Sequence, residues 1–165
     1  TVALFYTLHR EKQCKMARIA REYKHIQATL GSESSLVVSL EPIDGDLSRW
    51  AGEIRGPTGT PYEGHTFSLR LVLGDRYPTT PPQVAFARRS MPHCNVNYET
   101  GSICLNILTP EHWSPAWDLL HVLEAIIQLL SDPEPDSPLD IDLANILRAQ
   151  DRSAYYGLVN YYLQS

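Results

Sequence analysis

Cysteine is scarce in this chain. Three in 165 residues, Cys14, Cys94 and Cys104, are too few to staple a secreted scaffold, which points to a reducing compartment and at least one thiol kept for chemistry. Long apolar runs are missing too: residues 119–130 form the longest, interrupted by His121, Glu124 and Gln128, and a bilayer span needs about 20 apolar residues. Positive charge does not dominate, and a net charge of -5 argues against general nucleic-acid binding. His93, Cys94, Cys104 and His112 match no paired-ligand spacing, so no metal is expected. With no repeats, low-complexity tracts or linkers, residues 1–165 read as one domain, long enough to bury about two-thirds of the unfolded surface.

What is present has a clear order. Met16, Ile19, Tyr23, Ile26 and Leu30 recur at spacings of three and four, predicting an amphipathic helix that Gly31 ends. Its basic residues, Arg10, Lys12, Lys15, Arg18, Arg21 and Lys24, are expected on the outer face. They form either a solvated surface or a docking face for an acidic partner. After a Ser-rich turn, residues 36–40 read as a strand, 42–46 as a turn and 49–55 as a second strand with Trp50, Gly52 and Ile54 on one face. Phe67, Leu69, Leu71 and Leu73 alternate strictly, as a third strand does. Pro78, Pro81 and Pro82 make a stiff corner, and residues 83–87 are a fourth strand. Short connections between strands imply an antiparallel meander. Trp113 and Trp117 anchor a loop stiffened by Pro115, and Asp118 opens an almost wholly apolar core helix. A proline-broken acidic loop then leads into two short helices, residues 143–149 and 152–163. The fold class is α+β.

Cys104 lies in a loop-forming stretch. Gly101 precedes it, Asn95, Asn97 and Thr100 surround it, and a thiol on irregular chain can be reached. A cysteine hydrolase would need an imidazole to take the thiol proton, and His93, His112 and His121 are candidates. The alternative is a thiol that carries an acyl group without hydrolysing it. That site needs an accessible thiol, an oxyanion donor such as the Asn95 amide, and no strong base aimed at water.

The order and spacing of several elements add to this. Together the first helix, the four strands, Pro61-Tyr62-Glu63-Gly64, the 77–82 proline loop, His93-Cys94-Asn95, residues 101–108, Trp113-Ser114-Pro115-Ala116 and Pro138-Leu139 resemble a ubiquitin-conjugating enzyme. The resemblance runs from about Arg10 to the C-terminus. It implies the fold of that family: an N-terminal helix, a four-stranded antiparallel meander, a central core helix and C-terminal helices. It also implies that Cys104 is the nucleophile, taking ubiquitin from an activating enzyme as a thioester and passing it on with a RING-type ligase. Asn95 would be the oxyanion donor. No cofactor is bound on this reading; ubiquitin is the covalent passenger, and ATP is used by the activating enzyme. Tyr62, Pro115 and Ala116 fall where the family meets its ligases, beside Lys12 and Lys15 on the first helix.

Three positions depart from the family pattern. Cys94 replaces a proline, which could loosen the loop bearing Asn95 and set a second, redox-sensitive thiol near Cys104. Asn106 stands for an Asp. Ser137 stands where many members carry an Asp that helps deprotonate an attacking lysine, and the resemblance implies that it would be an acceptor-site gate. The stretch 132–139, with Asp142, Asn145, Leu147, Arg148 and Asp151, is similar to the peroxisomal branch of the family. That branch is held on the cytosolic face of the peroxisome by a membrane-anchored peroxin and modifies the import receptor for recycling. A general cytosolic conjugating enzyme is the alternative, and an inactive binding module a further one. A thiol acceptor has an ordinary pKa of about 8.5 against about 10.4 for lysine, making its deprotonation roughly 2.6 kcal/mol cheaper and a helper carboxylate less necessary.

Overall fold

In a computed structural model of the chain, which describes residues 2–32 and 35–165, the elements are α1 (Val2–Thr29), β1 (Val37–Ile43), β2 (Asp46–Arg55), β3 (Thr66–Val72), β4 (Gln83–Phe86), a 3-10 turn (Asn106–Leu108), α2 (Leu119–Ser131), α3 (Ile141–Arg148) and α4 (Arg152–Leu163). The strands pair antiparallel in the order β1-β2-β3-β4, the meander that short connections imply. Part of the expected Ser-rich turn, residues 33–34, lies outside the described residues.

α1 extends well before its periodic stretch. Ile19 and Ile26 are buried and the Tyr23 ring meets Trp50 edge-on at 5.6 Å, but Met16 is 45% exposed. The inward row at that level is Lys15, Arg18 and Glu22, at spacings of three and four and therefore on one face. The expectation that the basic residues all face outward is corrected accordingly: Arg18 is half-buried, and Lys15 Nζ donates to the Gly74 carbonyl at 2.8 Å.

The turn between β1 and β2 is tighter than expected. Asp44 and Gly45 both take positive φ, 52° and 74°, giving the two-residue hairpin whose twist matches the strands. β1 therefore runs on through Pro42, at the sheet's outer edge, where a missing N–H is tolerated. On β3, Phe67, Leu69 and Leu71 point inward while Ser68 and Arg70 face out. α2 lies over the inner face of the sheet. A side chain on Gly52 would meet Leu123 Cδ1 at 3.2 Å, and Leu119, Val122, Leu123 and Ile126 are fully buried. Truncating one of these leucines to Ala is expected to cost about 2–5 kcal/mol.

The outer edge of β4 is covered by the loop that carries Cys104. Phe86 N donates to the Gly101 carbonyl at 2.9 Å, and Ala85 bridges to Ser102. Asp118, Asp140 and Asp151 cap α2, α3 and α4 through the N–H groups of His121, Leu143 and Ala154. Among the described residues no helix is long and apolar enough to cross a membrane.

Candidate active site around Cys104

Gly101 sets the loop. Its φ is +80°, and a Cβ there would lie 1.9 Å from the Phe86 carbonyl oxygen, so only glycine fits. The chain then runs past isolated bridges at Ser102 and Ile103, and Cys104 N donates to the Asn95 carbonyl at 2.8 Å. That bond fixes the Cys104 backbone beside Asn95. The thiol is free and half-buried, on chain that belongs to no helix or strand.

His93, Cys94 and Asn95 are all fully buried. His93 Nε2 donates to the Leu129 carbonyl at 3.0 Å, while Nδ1 accepts from Asn95 N at 3.0 Å. Those partners define the neutral tautomer, and burial pushes the imidazole down to about 4. Both nitrogens are in use, so His93 is not available as a base for Cys104. His112 bonds to Thr109 Oγ1 and His121 stacks on Trp117. Among the described residues no cluster of three or more His, Cys, Asp or Glu side chains is placed to hold a metal ion.

Asn95 is a tether. Its Nδ2 donates to the carbonyls of Glu134 and Ser137 at 2.7 and 2.9 Å, and its Oδ1 accepts from Glu134 N at 2.9 Å. The two carbonyls and the N–H leave only one orientation of the amide that satisfies all three. The amide expected to serve as oxyanion donor thus has both protons committed to the acidic loop. It would have to release one to serve a transition state.

Cys94 does not loosen this segment. Its carbonyl accepts from Leu139 N and Asp140 N at 2.7 and 3.0 Å, fastening the end of the acidic loop. Its thiol donates to Asn95 Oδ1 at 3.3 Å. Burial, with the Asp140 charge adding to it, pushes that thiol up to about 11. A buried, protonated thiol is chemically quiet, which corrects the expectation of a redox-sensitive residue.

Ser137 is exposed, and its backbone is held by Asn95. Arg148 holds the same loop from α3, its Nη2 donating to the Pro135 carbonyl at 2.6 Å. Cys104, Asn95 and Ser137 are therefore brought together through one residue. Tyr62 is not part of any docking surface: it is 0% exposed, with its hydroxyl between the Pro92 carbonyl at 2.8 Å and Tyr155 OH at 2.7 Å. The resemblance put it where the family meets its ligases, but the loop folds it inward beneath α4. Pro115, Ala116 and Lys12 are exposed.

The ubiquitin-conjugating enzyme family model matches residues 18–163. The chain belongs to that family. The conjugating enzyme is 48% identical over 156 residues to the ubiquitin-conjugating enzyme E2-21 kDa of Saccharomyces cerevisiae, covering 90% of this chain and 85% of that one. It is 40% identical over 150 residues to protein PEROXIN-4 of Arabidopsis thaliana, covering 91% and 93%. Among solved structures it is similar to H. polymorpha Pex4p crystallised with the soluble domain of Pex22p, with a TM-score of 0.85, 38% identity and 91% and 96% coverage.

The sequence pattern missed Glu22, Arg18 and Arg148 as organising residues of this conjugating enzyme. Arg18 and Glu22 do stand four apart, a spacing that pairs them on a helix, but they sit in a stretch read as a basic surface.

Proposed function

We propose that Cys104 accepts ubiquitin as a thioester from an activating enzyme and passes it to an acceptor. One observation carries this. A reachable thiol stands on a loop fixed by Asn95, while the neighbouring imidazole is locked neutral with both nitrogens occupied. Such a site can hold an acyl group without activating water against it. In transfer the acceptor nucleophile attacks the thioester carbonyl, a new bond to that carbon forms, the C–S bond breaks, and Cys104 leaves as the thiolate. Asn95 positions Ser137 on the acceptor side. Pro115, Ala116, Lys12 and Lys15 contribute the docking face for the activating enzyme and a RING-type ligase.

We further infer that the enzyme works at the cytosolic face of the peroxisomal membrane, held by a membrane-anchored peroxin, and modifies the import receptor. Similarity to PEROXIN-4 and to Pex4p bound to Pex22p supports this. So does a serine at the acceptor gate, which suits a thiol acceptor.

The first test is incubation with activating enzyme, ATP and ubiquitin. A thiol-labile adduct that Cys104→Ala abolishes is expected; a thiol-stable adduct, or none, counts against the reading. Discharge of the thioester onto free cysteine and free lysine then tests Ser137. Ser137→Asp is expected to speed lysine discharge, and an unchanged lysine rate removes Ser137 as the source of acceptor preference. Capture of the chain by vesicles bearing a peroxisomal anchor protein, and not by bare vesicles, tests the location.

A further inference from the structure

The docking face rests on a buried carboxylate that the transfer chemistry does not use. Glu22, on α1, is 5% exposed. Its Oε1 accepts from Arg18 Nε at 2.6 Å, both its oxygens lie 2.8 Å from Tyr77 OH, and its Oε2 accepts from Leu119 N at 3.1 Å. Two further bonds close the frame. Arg18 Nη2 donates to the Trp117 carbonyl at 2.9 Å, and Trp113 Nε1 donates to the Pro78 carbonyl at 2.8 Å. Pro115 and Ala116 are therefore held at both flanks, by Trp113 against the proline loop and by Trp117 against α1. Lys15, bonded to Gly74, leads into the same loop.

A buried ion pair is a poor way to gain stability, because removing the charges from water cancels most of their attraction. What a carboxylate offers that an apolar side chain does not is direction. Here it ties its own helix, α1, to two segments that local sequence does not connect to it, the 74–82 loop and the start of α2. We propose that Glu22 is a positioning residue for docking, setting α1, the proline loop and the Pro115–Ala116 loop in the one arrangement that an activating enzyme or ligase reads. It touches no partner and no reacting atom, and works through Arg18 and Tyr77.

This inference rests on the docking role of the α1 face, and the test separates the two. Steady-state charging gives KM for the conjugating enzyme and kcat, with activating enzyme, ATP and ubiquitin in fixed supply. Discharge of purified thioester onto free cysteine without ligase reads the Cys104 end alone. That end is remote, since Leu119 at the Glu22 contact and Leu129 at the His93 contact are about 15 Å apart along α2.

Glu22→Gln is expected to raise KM roughly 5- to 20-fold, equivalent to about 1–2 kcal/mol of docking, with kcat little changed. Tyr77→Phe removes one donor with little risk to folding, and should raise KM by a smaller factor while ligase-free discharge stays at the wild-type rate. The proposal is overturned if KM is unchanged in folded Tyr77→Phe and Glu22→Gln, or if the rise in KM is no larger than the measured loss of folded fraction accounts for, since unfolded chain dilutes the substrate and raises its apparent KM with kcat unchanged. Lys12→Glu with Lys15→Glu perturbs the face directly. If it raises KM while the two network variants do not, docking on α1 stands and the positioning role of Glu22 is refuted. If it too leaves KM unchanged, both ideas fall.

Discussion

Replacing Asn95 with Ala separates its two possible roles. The substitution removes three side-chain bonds to the backbone of the acidic loop, at 2.7, 2.9 and 2.9 Å, but keeps the main-chain carbonyl that holds Cys104 N. At a net value of about 1 kcal/mol per bond the ceiling is about 3 kcal/mol. Glu134 and Ser137 are exposed, so their freed groups rehydrate when the loop moves, and the expected loss is about 1–3 kcal/mol. In a chain of this size that lowers Tm by roughly 3–10 °C. Charging of Cys104 should remain close to wild type because its backbone anchor survives, whereas discharge to an acceptor should fall with the loop. The decisive comparison is Arg148→Ala, which cuts the bond to the Pro135 carbonyl and loosens the same loop without touching Asn95. Thermal melting, single-turnover charging and single-turnover discharge on both variants form the assay. If Asn95→Ala melts with the wild type, or if Arg148→Ala discharges normally while Asn95→Ala does not, the amide acts on the reacting atoms and the tether account is wrong.

Three further outcomes are expected. His93 has its folded-state pKa lowered from 6.5 to about 4 by burial, so the unfolded chain binds the extra proton first. Stability should hold above pH 6.5 and fall by about 3 kcal/mol as pH drops from 6.5 to 4; a pH series of denaturant midpoints checks this, and His93→Gln should lack that loss. Iodoacetamide at neutral pH should alkylate Cys104 and Cys14 but spare Cys94 until the chain unfolds, as peptide mass mapping will read; rapid labelling of Cys94 in folded protein would refute its burial as a quiet thiol. Tyr62→Phe loses the bonds to Pro92 and Tyr155 and should cost about 1–3 kcal/mol in a chemical melt, with KM for charging unchanged; a raised KM at full folding would restore Tyr62 to the docking surface.

How far the sequence led depends on the range of the interactions. The alternation of β3 and the apolar face of α2 repeat within a few residues, so local periodicity disclosed both. The Cys104 loop announced itself through Gly101 and its loop-forming neighbours. The Asp44–Gly45 hairpin was also local, but Pro42 beside it pulled the reading toward a longer turn. Asn95 was singled out for its amide chemistry, while its partners lie 39 and 42 residues away, and no pattern in the chain couples those positions. Glu22 was hidden for the same reason: what sets it apart is burial against Tyr77 and Leu119, and its local setting is a row of solvated charges. Tyr62 and Cys94 show a different limit: the resemblance to the family assigns the first to the ligase-facing loops and the second to redox chemistry, and it does not reveal that both side chains pack inward.

The loop that presents Cys104 has a second duty. By bridging Ser102 to Ala85 and offering the Gly101 carbonyl to Phe86 N, it seals the outer margin of β4, where an open strand would otherwise display unpaired N–H and C=O groups. Unpaired edges recruit other chains. Lesions in this loop therefore carry a solubility cost alongside any catalytic one. A variant such as Gly101→Ala should be checked for self-association by light scattering before its lost activity is assigned to the thiol.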